Sequence, residues 1–240
     1  MGEYGQFCPI AKAMEILDQR WTMLVMREIV SGSSRFNEIR RGVPKMSPAL
    51  LSTRLRQLQR VGLIERHSRD GGIDYTPTPA GQELKDVLET VGRWGVRWVG
   101  ELGEQDLDPH LLLWDMHRRI DPSRVPAGRT VLLIEFTDLA GSAARWWMIL
   151  DSSPAGASAD VCDFDPGFGV DVRLSCKLRT LVDIWMGTRS WSQAQRAGEL
   201  SVDGQRGAAR ALPGWFQLSL WTDVPRPSEP STVSALHPVS

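Results

Sequence analysis

Cysteine is scarce in this chain, and histidine barely commoner. The three cysteines, Cys8, Cys162 and Cys176, are odd in number and scattered, so neither a disulfide framework nor a zinc site is implied. The four histidines form no local cluster, and His110 and His117, with Asp115 between them, read as solvent-facing residues near a helix end. No apolar run approaches the length of a membrane span. The first twenty residues carry an early Glu3 and lack the apolar core of a signal peptide, so a cytoplasmic protein without a membrane partner is expected. A Gly-rich phosphate loop before a helix, a His pair at ligand spacing and a Ser–His–acid arrangement are all missing. Neither an enzyme nor a bound cofactor is expected.

Net charge is nearly absent too, at −1 over 240 residues, but that average hides an asymmetry. Residues 1–100 carry 15 Lys and Arg against 11 Asp and Glu, and residues 101–240 carry 13 against 18. Between Ser31 and Arg69 there are nine basic residues and only Glu38 and Glu65 on the acidic side. Such a local excess is a plausible phosphate-binding footprint in a chain acidic elsewhere.

The richest stretch runs from Lys45 to Arg69. Ser47 is a good N-cap, and Pro48 at the first helical position gives up an N–H that would be unpaired anyway. Leu51, Leu55 and Leu58 form one buried stripe. At about 100° per residue, Ala49, Thr53, Arg56 and Arg60 fall opposite it, with Gln57 beside them. Gly62 stops the helix and Leu63–His67 begins a strand. A packed back with a face of hydroxyl, amide and guanidinium groups is what a major-groove reader requires. Ser47, Thr53, Arg56 and Gln57 are expected to face the groove, and Arg40, Arg41, Lys45, Arg54 and Arg69 to hold phosphates.

Upstream, Pro9 opens a helix with Ile10, Met14, Leu17 and Trp21 in helical spacing. A second helix spans Thr22 to Val30 and a third Arg35 to Arg41. Downstream, the Leu63–His67 strand, the Ser68–Gly72 turn and the Asp74–Pro77 strand make a hairpin. Pro79 then starts a helix to about Val99, where Leu84, Leu88, Val91, Gly95 and Trp98 form a seam close to the 3.5 period of paired helices. That seam is the expected dimer contact.

Helix, turn, helix, basic helix and hairpin is the winged helix-turn-helix order, and here a resemblance becomes specific. Cys8-Pro9, the Trp21 helix, Arg35-Phe36-Asn37-Glu38-Ile39, Met46-Ser47, the Leu51/Leu55/Leu58-Gly62-Leu63 helix and Tyr75 through Gly81 resemble the HxlR family of bacterial transcription regulators. The resemblance covers about residues 8–99. It implies an α-rich homodimer that binds a double-stranded DNA operator of two half-sites. It also implies a redox candidate, Cys8, since some members sense oxidants or electrophiles through a cysteine at this place. The position of Cys8 at a helix N-terminus favours a thiolate, whereas a small half-buried cysteine at a dimer interface needs no such role.

The second half changes character. A helix at Leu111–Ile120, strands at Thr130–Asp138, Arg145–Asp151, Ala157–Asp163 and Gly169–Cys176, a helix at Lys177–Gly187, a short helix at Ser192–Ala197, a strand at Glu199–Asp203 and a last helix at Gly207–Phe216 are expected. Val170 through Cys176, Leu181 through Gly187, and the strand Gly198-Glu199-Leu200-Ser201-Val202-Asp203-Gly204 resemble a sterol-carrier-protein-type α+β domain. That resemblance implies an apolar tunnel for lipid-like ligands. Seven tryptophans lie in this half, and large aromatic side chains can line a pocket or fill it. Trp114, Trp147, Leu178, Leu181, Trp185 and Phe216 are the expected ligand-binding residues.

The fold class expected is α+β: a winged-helix DNA-binding and dimerisation domain at 1–100, a sterol-carrier-like ligand domain at 101–222 and a disordered Pro-rich tail at 223–240. The function expected is a dimeric transcription regulator controlled by an apolar small molecule. Two alternatives stay open, a thiol-based sensor acting through Cys8 and a lipid-binding or enzymatic protein whose winged helix only dimerises.

Overall fold

The computed structural model describes residues 3–69, 71–99, 102–153 and 156–225. The chain divides into two compact units between Gly95 and Val96, whereas the sequence placed the division at residue 100. Unit 1 is built from α1 (Pro9–Leu17), α2 (Thr22–Val30), α3 (Phe36–Gly42), α4 (Pro48–Arg60), the hairpin β1 (Ile64–Arg69) and β2 (Gly72–Pro77), and all but the last residues of α5 (Pro79–Trp98). Trp21 lies outside α1: it is the N-cap of α2 with a left-handed φ of 77°, a sharp turn in which a non-glycine residue is uncommon.

Local chemistry explains the boundaries. Glu38 Oε2 accepts from the Ser34 and Arg35 backbone N–H groups, at 2.9 and 3.0 Å, so it closes the start of its own helix. Gly62, at φ 76°, ends α4 where an L side chain is disfavoured. Thr78 Oγ1 donates to the Gly62 carbonyl (2.7 Å) and accepts from Gly81 N–H (3.1 Å), which caps α5 and ties it to the end of α4. A Cβ on Gly81 would stand 2.0 Å from the Leu63 carbonyl oxygen, so only glycine lets α5 cross there. Glu28 is fully buried, and Arg27 binds its Oε1 through Nε and Nη2 while donating to the Gly42 carbonyl. The pair joins α2 to α3 and satisfies a carboxylate that would otherwise be costly to bury.

The unit 1 core gathers Val25, Met26 and Ile29 from α2, Ile39 from α3, the Leu51/Leu55/Leu58 stripe from α4, and Leu63 and Ile64. The α5 seam differs from the expected one. Leu84 and Leu88 pack on this core, while Val87, Val91, Trp94 and Trp98 are exposed. Their spacing is again 4, 3 and 4, one row around the helix. No residue of α1 is buried, and Phe7, Ile10 and Met14 are all exposed.

Unit 2 opens with a 3-10 turn at Glu104–Asp106 and α6 (Pro109–His117). A five-stranded sheet follows: β3 (Gly128–Phe136), β4 (Arg145–Ser153), β5 (Gly156–Cys162), β6 (Val172–Cys176) and β7 (Leu200–Gly204), in the order β5-β4-β3-β6-β7. Only β3–β6 is parallel. Helices α7 (Leu178–Trp185) and α8 (Trp191–Arg196) connect β6 to β7, and α9 (Arg206–Trp215) follows. A Cβ on Gly204, at φ 140°, would lie 2.3 Å from the Asp171 carbonyl oxygen, which explains the glycine closing that strand motif. Alternate residues of the strands, such as Leu132, Ile134, Trp146, Met148, Val172 and Leu174, form one core with Leu112, Leu181, Trp185, Leu212 and Trp215 from the helices. The period of two sends one set of side chains to the helix-covered face.

The expected tail begins too early at 223, because Val224 is buried. The remainder of that expectation, residues 226–240, lies outside the described residues. Among the described residues no helix is long and apolar enough to cross a membrane.

Candidate nucleic-acid interface

The surface of interest is the outward side of α4. Its first turn is held by Ser47, whose Oγ accepts from Leu50 N–H at 3.3 Å. Leu51, Leu55 and Leu58 are buried, which fixes the rotation of the helix about its axis. Thr53 is half-buried; its Oγ1 donates to the Ala49 carbonyl at 3.0 Å and accepts from Arg56 Nη2 at 3.1 Å. The Arg56 guanidinium is thereby laid along the exposed side of α4, with Arg60 exposed one turn later. Arg40 and Lys45 are exposed and Arg41 half-buried in the α3–α4 region.

Arg54 departs from the sequence expectation. It is only 8% exposed, so it cannot serve as a phosphate ligand on the surface. One Nη1 hydrogen bond goes to Gln19 Oε1 and another to Gln57 Oε1 at 2.8 Å, and Nη2 donates to the Arg20 carbonyl at 3.0 Å. Burial pushes its pKa down from the ordinary arginine value. The residue is a tie between α4 and the α1–α2 turn. A helical projection places position 54 beside the buried stripe, but charge alone assigned it to solvent. Gln57 is drawn into the same tie, since its amide oxygen is engaged by Arg54.

The wing presents Arg66 and Arg69, both exposed. Arg69 Nε lies 3.6 Å from Asp74 Oδ2, and Arg35 Nε lies 3.5 Å from Asp74 Oδ1, so Asp74 offsets part of their charge. Arg35 and Arg66 were not among the predicted residues. For Arg66 the signal was the hairpin itself: beyond Ile64 none of its described residues is buried, so its basic side chains face water; Arg35 instead precedes α3 and bridges to Asp74 of β2. Cys8 is the N-cap residue of α1, half-buried, and makes no side-chain capping bond.

The predicted ligand-binding residues of unit 2 do not surround an open pocket. Leu178, Leu181, Trp185 and Phe216 are buried members of the continuous core. Trp147 pairs across the sheet with Leu133 and Cys162, while its neighbour Trp146 points into the core. Successive strand residues face opposite sides, so Trp147 and Trp185 cannot line one cavity. Trp114 is buried against His117 and Arg118, with Arg118 Cζ 5.0 Å from its ring centroid. Among the described residues no group of three His, Cys, Asp or Glu side chains could hold a metal ion.

Comparison with known proteins places these features. The pattern of the HxlR-like helix-turn-helix family matches residues 16–102. The chain is similar to the uncharacterized HTH-type transcriptional regulator YvaP of Bacillus subtilis (strain 168), 33% identical over 99 residues, covering 40% of this chain and 92% of that protein. A regulator of the same description, sll1512 of Synechocystis, is 33% identical over 100 residues, with 40% and 74% covered. Among solved structures, the reduced form of the transcriptional regulator YodB from B. subtilis is 29% identical with a TM-score of 0.34, covering 38% of this chain and 92% of that one.

Proposed function

The chain belongs to the HxlR-like helix-turn-helix family, and on that premise we propose that it is a homodimeric, signal-controlled transcription regulator. Its α4 helix enters the major groove of a double-stranded operator. The observation that carries the reading is the build of α4: a capped start at Ser47, a buried leucine stripe, and Thr53, Arg56 and Arg60 on the other side. Thr53 and Arg56 face base edges, while Arg40, Arg41, Lys45 and the wing's Arg69 hold phosphates. The exposed Val87, Val91 and Trp94 of α5, and Phe7, Ile10 and Met14 at α1, meet a second copy, since exposed apolar patches mark association faces. Two recognition helices in such a dimer sit about 34 Å apart to meet successive major grooves.

Unit 2 receives the signal. Its mixed five-stranded sheet, the helix pair between β6 and β7 and the Gly204 turn support the sterol-carrier-type reading. Control by a small molecule requires that it bind one conformer better than the other.

The test is fluorescence anisotropy with labelled duplex. Affinity should fall steeply with salt, because each phosphate contact releases counterions. Arg56→Ala should weaken specific binding by about 1–3 kcal/mol, and Lys45→Ala should weaken binding to all sequences alike. Salt-independent binding, or none at micromolar protein, would sink the regulator reading.

A second reading rests on Cys8, which stands at the α1 N-terminus beside the exposed Phe7 and Ile10. Oxidation there would alter the face assigned to the partner copy. Operator release by peroxide that Cys8→Ser abolishes would place the signal at this thiol; unchanged release would remove it.

A further inference from the structure

Two adjoining clefts open beside α7 in unit 2. The larger, about 710 Å³, is lined in part by Leu102, Glu104, Val182 and Met186, and the smaller, about 600 Å³, by Cys176, Lys177 and Glu199 among others. They share Arg179, Asp183 and Arg189. Both volumes fall within the usual range of small-molecule sites, about 300–1,000 Å³.

The shared wall carries two partly shielded guanidiniums with the Asp183 carboxylate, whose charge also acts on Arg179. The Arg179 and Arg189 side chains are 31% and 32% exposed, and each is met by a carboxylate from another segment. Arg179 binds Glu104 Oε1 through Nη2 at 2.8 Å and Nε at 3.2 Å, and Nη2 also donates to the Leu102 carbonyl at 2.9 Å. Arg189 binds Glu199 through Nη1 and Nη2. Glu104 is 79% exposed, and an exposed carboxylate on a flexible side chain is a weak competitor for a guanidinium. Lys177 is exposed at the entrance to α7 and makes no ion pair among the described residues.

The remaining chemistry narrows the ligand. Burial and the charge of Asp138 push the Cys176 thiol up to about 12, so it stays protonated and supplies no nucleophile. Val182, Met186 and Leu102 give the larger cleft an apolar side. A guanidinium's planar fork pairs bidentately with a carboxylate, as it does with a phosphate, and the apolar side of the larger cleft favours an organic acid of the two.

We propose that this cleft binds a small organic carboxylate with a compact apolar body, whose carboxylate takes the place of Glu104 on Arg179. The apolar body lies against Val182 and Met186. The exchange frees Glu104 within the 102–106 segment, which follows α5 closely in the chain. Only this last, regulatory consequence rests on the signal-receiving role given to unit 2.

The experiment is calorimetry on the full chain with two probes, 4-phenylbutyrate and 4-phenylbutanol. The acid should bind about tenfold or more tightly than the alcohol, the effect of a charge-assisted hydrogen-bonded pair. Arg179→Met should remove that preference, Arg179→Lys should keep part of it, and Glu104→Gln should tighten the acid several-fold by removing its competitor. Equal affinity for acid and alcohol, no heat from either, or weaker binding by Glu104→Gln would overturn the proposal. Operator affinity is measured separately: acid binding that leaves it unchanged keeps the site and rejects the regulatory role of unit 2.

Discussion

The two units place their tryptophans differently. Unit 2 folds Trp146, Trp185 and Trp215 into one core shared by the sheet and four helices. Unit 1 leaves Trp94, Val87 and Val91 on the outside of α5, and Phe7 stands 99% exposed ahead of α1. Its core is complete without them, since α2, α3, α4 and the start of β1 close over Met26, Ile39 and Leu55. An aromatic side chain inside a closed core stabilises its own chain. One left in a row on a long helix is available to a second chain. The same residue type thus reports self-sufficiency in one unit and incompleteness in the other.

The largest effect that tests this contrast is in unit 2. Trp215 is fully buried, and Trp215→Ala should cost about 3–5 kcal/mol, read as an earlier denaturant midpoint for the transition of unit 2. Trp94→Ala should leave the midpoint of unit 1 nearly unchanged at low protein concentration. Comparable losses from the two substitutions would erase the distinction.

Next is the association face. Val91→Asp with Trp94→Asp places two charges in the row assigned to the partner copy, where burial without partners is strongly unfavourable. Sedimentation should find a folded monomer with weakened operator binding. A folded dimer would move the interface elsewhere.

Within unit 1, Arg54→Met should cost about 1–3 kcal/mol, because Gln19, Gln57 and the Arg20 carbonyl lose a charged donor. It should lower affinity for every duplex by loosening α4. A loss confined to DNA affinity, with stability unchanged, would return Arg54 to the phosphate-binding set.

A further effect appears only at alkaline pH. The Cys176 thiol has its pKa raised from 9.0 to about 12 by burial first and Asp138 second. A folded pKa above the unfolded one gives stability that is full below about pH 9 and fades as pH climbs toward 12. Unit 2 should therefore weaken through that window, and Cys176→Val should flatten the slope. An unchanged slope in the variant would assign the alkaline loss to other groups.

Much of unit 1 could be read along the chain because its signals are local. The cap at Ser47, the leucine stripe, the stop at Gly62 and the two-strand hairpin each depend on residues within a few positions. Arg54 could not be read this way. Its partners Gln19 and Arg20 are more than thirty residues distant, and an arginine in a basic run gives no sign of facing inward. Of the expected α5 seam, Leu84 and Leu88 turn to the core while Val91 stays exposed beside Val87, since Leu88 and Val87 satisfy nearly the same spacing and only the position of the core separates them. In unit 2 the strands and helices were legible from alternation and glycines. The pocket was not, because a tryptophan that lines a cavity and one that fills it look identical in sequence.

By itself, the sequence determined the winged-helix order, the basic excess between Ser31 and Arg69, the outward face of α4 and the α+β character of the second half. These rest on periodicity, caps and glycine geometry, which act over one or two turns of chain. The tertiary structure alone decided which arginine is buried, which row of α5 remains exposed and which side of β4 each tryptophan faces. It alone brought Arg179 to Glu104 across 75 positions. Those outcomes depend on which distant surfaces meet, and a chain's local pattern carries no distance between segments that only folding brings together.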